Sequence, residues 1–178
     1  GSMNVLLGTQ SPDGDIKDIA EMYGDSGSRL TVKEANLISC FPGGGFGGRD
    51  SSPFSLMLGL CAEFSEGNAV KLEYDRFEQF RVGLKRHACD LSGLLAVTPD
   101  QKIKVIQMDM TFDGGGRKNL SPYVAQLAAL CAGGSYKVPM ANIAAKATHS
   151  ENVSGGSQRG FGGPQAFFAT ETALDEIA

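Results

Sequence analysis

Cys40-Phe41-Pro42-Gly43-Gly44-Gly45-Phe46-Gly47-Gly48-Arg49-Asp50 lies between a segment that reads as a strand, Arg29 to Ser39, and one that reads as a helix, Pro53 to Phe64. Glycine lets a backbone adopt positive φ and approach a ligand closely, and a loop that opens a helix presents unpaired N–H groups to oxygen atoms. A second stretch repeats the design: Gly155-Gly156-Ser157-Gln158-Arg159-Gly160-Phe161-Gly162-Gly163-Pro164-Gln165. Each loop sets one Phe among glycines, with Arg49 or Arg159 close by in sequence. Gly43 to Gly48 satisfies GxGxxG, yet no second strand carries the acidic residue that a Rossmann unit places ~20 positions on. No Lys-Ser or Lys-Thr follows the glycines, so a Walker loop is excluded.

Outward from the loops, the apolar run Asn4 to Gly8 reads as a strand. Ser11-Pro12-Asp13 supplies turn and N-cap chemistry for a helix from Gly14 to Tyr23, with Ile16, Ile19, Ala20 and Tyr23 on one face and Gly24 as its stop. Pro53 to Phe64 is apolar nearly all round, which predicts a buried helix with Leu56-Met57-Leu58 in the core. Ala69 to Tyr74 alternates as a strand and precedes a charged segment, Asp75 to Glu78. Two longer strands, His87 to Thr98 and Lys102 to Phe112, meet as a hairpin at Pro99-Asp100-Gln101. Ser121-Pro122 opens a small-residue helix that reaches Ala132 and stops at Gly133-Gly134. Asn142 to Thr148 reads as a last strand, and Pro164 starts a helix that runs to the end without a stop signal. The layout is α+β in one compact domain: two layers, a mixed β-sheet with helices packed on one face.

Composition narrows the classes. The chain has 178 residues, 42% of them apolar, and its net charge of −4 gives no electrostatic case for nucleic acid or an anionic membrane as partner. No stretch approaches the ~18 uncharged residues of a membrane span. The 24 glycines are roughly twice the ~7% average usage and concentrate in the two loops. Cys40, Cys61, Cys89 and Cys131 are far apart, without a CxxC pair or a secretory leader, which predicts a reducing, cytoplasmic setting. Cys40 and Cys89 read as buried small hydrophobes. His87 and His149 lack partners at metal-ligand spacing and read as core or surface residues. The opening Gly1-Ser2-Met3 reads as an expression scar and the whole as a fragment.

Taken together, FPGGGFGGRD and QRGFGGPQ resemble the cofactor loops of the molybdenum hydroxylases, the xanthine dehydrogenase and aldehyde oxidase family. The resemblance extends through Thr9-Gln10, the Asp75-Arg76 pair and Ser135-Tyr136-Lys137-Val138-Pro139, and so covers the chain from residue 4 to 178. It implies part of a molybdopterin-binding domain, carrying the first half of the cofactor site. It also implies a hydroxylation that puts a water-derived oxygen on an electron-poor carbon of an N-heterocycle or aldehyde, with electrons leaving through iron-sulfur clusters and FAD elsewhere in the enzyme.

Residue by residue, the resemblance matches Gln10 to a glutamine whose amide donates to an oxygen on the metal. Gly45, Phe46 and Gly47 match the tip of the first cofactor loop, and Arg159 and Gly160 the second. Phe161 matches an aromatic residue that packs a flat substrate ring, and Asp50 stands where purine oxidisers carry a glutamate and aldehyde oxidases an apolar residue. Asp50 reads equally as an N-cap for a helix starting near Ser51. Purine oxidisers also place an arginine before the motif matched by Tyr136-Lys137-Val138-Pro139, and Leu127 occupies that offset here, which argues against xanthine itself. The family's base glutamate lies in a Gly-x-Gly-Glu segment absent from this chain, so the implied partners are the rest of the large subunit with its iron-sulfur and flavin domains. Alone, the chain is expected to be inactive and largely free of molybdenum. The alternatives are a non-catalytic scaffold and a small-anion-binding module using the glycine loops.

Overall fold

A computed structural model describes residues 1–24 and 34–178. Its contacts fall into two compact units, Gly1–Gly83 and Leu84–Ala178. Nothing in the composition around Gly83 marks the division: no Pro/Ser linker or charge run separates the halves.

In the first unit, β1 (Ser2–Leu7) pairs in parallel with β2 (Glu34–Ser39), Val5 standing opposite Leu37. Ser2 and Met3, set aside in the sequence as a scar, are part of this ladder. The Arg29–Lys33 portion of the second predicted strand lies outside the described residues. Helix α1 (Pro12–Gly24) has Pro at its first position and Asp13 and Asp15 in its first turn, where the helix dipole favours acids. Its buried face is Asp15, Ile19 and Tyr23, while Ala20, expected on that face, is exposed. Val5, Leu7, Ile19 and Tyr23 form the core, with Leu37, Phe54 and Leu58 packed against it.

Helix α2 (Phe54–Glu63) buries only Ser55 and Gly59, so the expectation of a fully buried helix is corrected. Leu56, Met57 and Leu58 are half-buried, and Leu60 and Phe64 are exposed. α2 lies close to α1 at Gly59, where the Tyr23 hydroxyl donates to the Gly59 carbonyl at 2.6 Å and a Cβ would meet the end of the Met22 side chain.

Ala69 to Tyr74 forms no strand; it docks by side chain, the Tyr74 ring lying 4.7 Å from Phe54. The charged segment after it is instead the start of a helix, α3 (Arg76–Val82). Asp75 and Glu78 form a capping box, Glu78 N donating to Asp75 Oδ1 at 2.7 Å and Asp75 N to Glu78 Oε2 at 2.8 Å.

The second unit holds the mixed sheet, in the order β3 (Cys89–Val97), β4 (Ile103–Asp113), β5 (Met140–Thr148). The predicted hairpin is present, β3 and β4 antiparallel with Leu91 opposite Met110, and β5 joins β4 in parallel. Alternation along β4 sends Ile106, Met108, Met110 and Phe112 inward and Gln107 and Asp109 to solvent. Helices α4 (Ser121–Cys131) and α5 (Gly163–Ile177) cover that inner face. Val124, Ala125, Ala128, Ala132 and Ala166 are fully buried, and small side chains let the two helices approach until Thr170 Oγ1 donates to Ala132 O at 2.6 Å. Burying a side chain such as Phe112 contributes about 1.5–3 kcal/mol.

Candidate functional site

The two glycine loops fold into the same turn. In the first, Phe46 has φ 48° and Gly47 φ 92°, closed by Gly48 N donating to Gly45 O at 2.8 Å. In the second, Phe161 has φ 48° and Gly162 φ 91°, closed by Gly163 N donating to Gly160 O at 2.9 Å. Positive φ at both central positions is the signature of a type I′ turn, which normally excludes a large side chain at the first of them. Holding a Phe in the left-handed region costs on the order of 1–3 kcal/mol, a strain that structures retain mainly at functional sites. Each turn sits just before a helix: Gly163 is the first residue of α5, and α2 starts at Phe54.

Gln10 is built into the first loop. Its backbone N–H donates to Arg49 O at 3.0 Å, and its Oε1 accepts from Gly47 N at 2.9 Å and Arg49 N at 3.3 Å. A Cβ on Gly45 would lie 2.2 Å from that oxygen, so only glycine leaves room for the glutamine. With Oε1 committed to the loop, the exposed Nε2 remains as a neutral donor. Phe46 is 65% exposed, its ring folded back over Gly44.

Beneath Gln10 is a polar relay that the sequence did not disclose. The buried Thr9 hydroxyl donates to the buried Asp15 carboxylate and accepts from Ser11 N at 2.9 Å. Asp50 is half-buried, its N–H donating to Gly47 O at 3.0 Å. Burial, with the charge of Asp15 added, raises its carboxyl pKa above the ordinary carboxylate range. The alternative reading of Asp50 as an N-cap is corrected, because α2 begins four residues later behind Pro53. Arg49 turns its guanidinium onto the Phe54 ring, 4.9 Å from the centroid, and so braces the loop against α2.

In the second loop Arg159 is exposed and makes no ion pair among the described residues, while Phe161 is half-buried against the core of its own unit. The sequence also missed what holds this loop. The segment Leu84-Lys85-Arg86-His87 lies along it: Lys85 N donates to Ser154 O at 3.1 Å, Gly156 N to Lys85 O at 3.0 Å, and Gln158 Nε2 to Leu84 O at 3.1 Å. Arg86 Nη2 donates to Arg159 O at 2.5 Å, and Gln165 Nε2 to His87 O at 3.1 Å. The buried His87 ring faces Gly155 and meets Ser121 Oγ at 2.8 Å through Nε2; burial lowers its pKa.

Among the described residues no three His, Cys, Asp or Glu side chains form a metal-holding group. Cys40 is exposed and Cys89 half-buried rather than fully buried; burial pushes the Cys89 thiol up to about 11, which makes it a poor nucleophile. No helix among the described residues is long and apolar enough to cross a membrane.

The chain is similar to known proteins. Residues 1–178 match the profile of the molybdopterin cofactor-binding domain. The nicotinate dehydrogenase large molybdopterin subunit of Eubacterium barkeri is 29% identical over all of this chain and 40% of its own length. The xanthine dehydrogenase of Emericella nidulans is 26% identical over all of this chain and 13% of its own. The chain thus spans well under half the length of these relatives. Among solved structures, the aldehyde oxidoreductase of Desulfovibrio gigas shares the fold with a TM-score of 0.73 at 24% identity, over 80% of this chain and 16% of that one. The CO dehydrogenase of Oligotropha carboxidovorans gives 0.71 at 26% identity, over 81% and 18%. The chain belongs to the molybdopterin cofactor-binding domain family.

Proposed function

We propose that the two glycine loops hold molybdopterin within the large subunit of a hydroxylase that acts on an N-heterocycle or an aldehyde. The observation that carries this is the anchoring of Gln10: two loop N–H groups take its oxygen and leave an outward, uncharged amide donor beside a strained, exposed Phe46. That donor set would fit a bulky, oxygen-bearing cofactor, because a neutral N–H stabilises an oxygen without adding net charge. When bound, molybdopterin supplies the metal that activates water and accepts electrons.

In this reading the chain's own residues bind and orient. Gln10 Nε2 donates toward the cofactor, Gly45, Phe46 and Gly47 wall one side, and Arg159 with Gly160 present a cation and a glycine backbone that permits close approach. Phe161 packs a flat substrate ring. Asp50, its carboxyl pKa raised by burial and by the Asp15 charge, keeps a proton to higher pH than an ordinary carboxylate and faces a polar edge of the substrate. The base, the second wall of the site, and the iron-sulfur and flavin partners belong to the rest of the enzyme.

Titration of the purified chain with molybdopterin released from a molybdenum hydroxylase, followed by pterin fluorescence, tests the proposal. Saturable binding is expected, weakened roughly tenfold in Gln10→Ala, the equivalent of one hydrogen bond of about 1.4 kcal/mol. The purified chain is expected to carry molybdenum well below one equivalent, since with only part of the site's contacts the binding is saturable but weak enough to be lost on purification. No binding, or binding abolished by pyrophosphate and indifferent to Gln10→Ala, contradicts the proposal; the second result identifies a small-anion module.

A further inference from the structure

The turn Gly160-Phe161-Gly162 keeps positive φ at three successive residues, so its conformation is imposed by its surroundings. Behind it the α5 side is fixed: a Cβ on Gly162 would stand 2.3 Å from Val124 O, so this backbone is seated against α4. In front of it, the contacts come from Leu84 to His87. Most are made by the backbone of that segment, and the His87 ring contacts Gly155, early in the loop, where a Cβ would lie 2.5 Å from it. The exception is Arg86, whose side chain reaches the carbonyl of Arg159, the residue directly before the turn.

We propose that Arg86 is a positioning residue for the second glycine loop: its guanidinium holds the Arg159 peptide and thereby aims the Arg159 side chain and the Gly160-Phe161 tip at the ligand. The inference rests on the reading of this loop as a cofactor loop and adds the residue that sets its geometry. Arg86 is exposed and makes no ion pair among the described residues, so it carries no packing load that its removal would expose. The bond engages the Arg159 backbone and not its side chain, so a fixed donor holds the peptide while the Arg159 guanidinium stays available for an anionic or carbonyl oxygen.

The test compares the full chain with Arg86→Leu and Arg86→Lys. Amide hydrogen exchange is read at Phe161 and Gly163, whose N–H groups donate to Gln158 O and Gly160 O. Molybdopterin binding and the melting temperature are measured on the same samples. Arg86→Leu is expected to speed exchange at both amides by about tenfold and to weaken molybdopterin binding several-fold. Exchange in β4 and β5 and the melting temperature stay unchanged. Arg86→Lys, which keeps a cationic donor, restores most of both. Gln158→Ala, which removes the bond to Leu84 O, reproduces the exchange effect without touching Arg86.

Unchanged exchange at Phe161 and Gly163 in Arg86→Leu overturns the inference. So does acceleration spread equally through β4, β5 and α4 without rescue by lysine, which marks a merely structural residue, or faster loop exchange with unaltered binding. If the wild-type chain binds no molybdopterin, the functional reading fails, and the exchange pattern still decides whether Arg86 holds the loop.

Discussion

A methyl group is enough to test the second turn. Gly162 has φ 91°, and a Cβ there would lie 2.3 Å from the Val124 carbonyl, a backbone atom that no rotamer change moves aside. Gly162→Ala is therefore expected to destabilise the Leu84–Ala178 unit by more than about 2 kcal/mol, through strain and displacement together, read as a lower urea midpoint. His87 makes a prediction in pH. Its folded pKa is depressed by burial, so below the ordinary value of about 6.5 the unfolded chain binds more protons than the native one, and stability falls with acidity until the folded pKa is passed. Urea melts from pH 7.5 to 5 should show that slope, and His87→Gln should flatten it. Asp113 adds a loss at lower pH: hydrogen bonds from Ser150, Asn152 and Gly115 N hold its carboxyl at about 2, so its stabilisation is complete above the ordinary carboxylate value of about 4 and disappears as pH falls through the folded one.

Elements with strong periodicity or turn chemistry were readable from the chain alone. The β3–β4 hairpin needed only its two long apolar-rich runs and the Pro99-Asp100-Gln101 turn, and α4 and α5 were announced by Pro at their openings. Helix α3 was not seen, because seven residues give too little periodicity to register, although Asp75-x-x-Glu78 is the sequence form of a capping box. Asp75→Ala should cost about 0.5–2 kcal/mol locally, visible as faster amide exchange confined to Arg76–Val82. Ala69–Tyr74 shows the opposite failure: its alternation is that of a strand, but a strand also needs a neighbour, and partners are not encoded in local pattern. α2 misled for a related reason, since its apolar composition says that it wants cover and not that this chain supplies it.

At the scale of the molecule, the α+β class and the family were legible and the division into two units was not. The glycine loops stood out because turns held at positive φ favour residues without side chains, which leaves a compositional mark. The groups that hold them from outside, Thr9 with Asp15 in one unit and Arg86 in the other, are ordinary polar residues far from the loops in sequence and left none. The identical φ values at Phe46 and Phe161 appear only in the fold, although GFGG is written twice.

Binding of molybdopterin by the loop that Gln10 anchors is tested most directly by titrating the isotopically labelled chain with it and following it amide by amide. Gly47, Gly48 and the Gln10 side-chain amide are predicted to shift along a single saturation curve. Unmoved signals at these groups while amides elsewhere shift would contradict it.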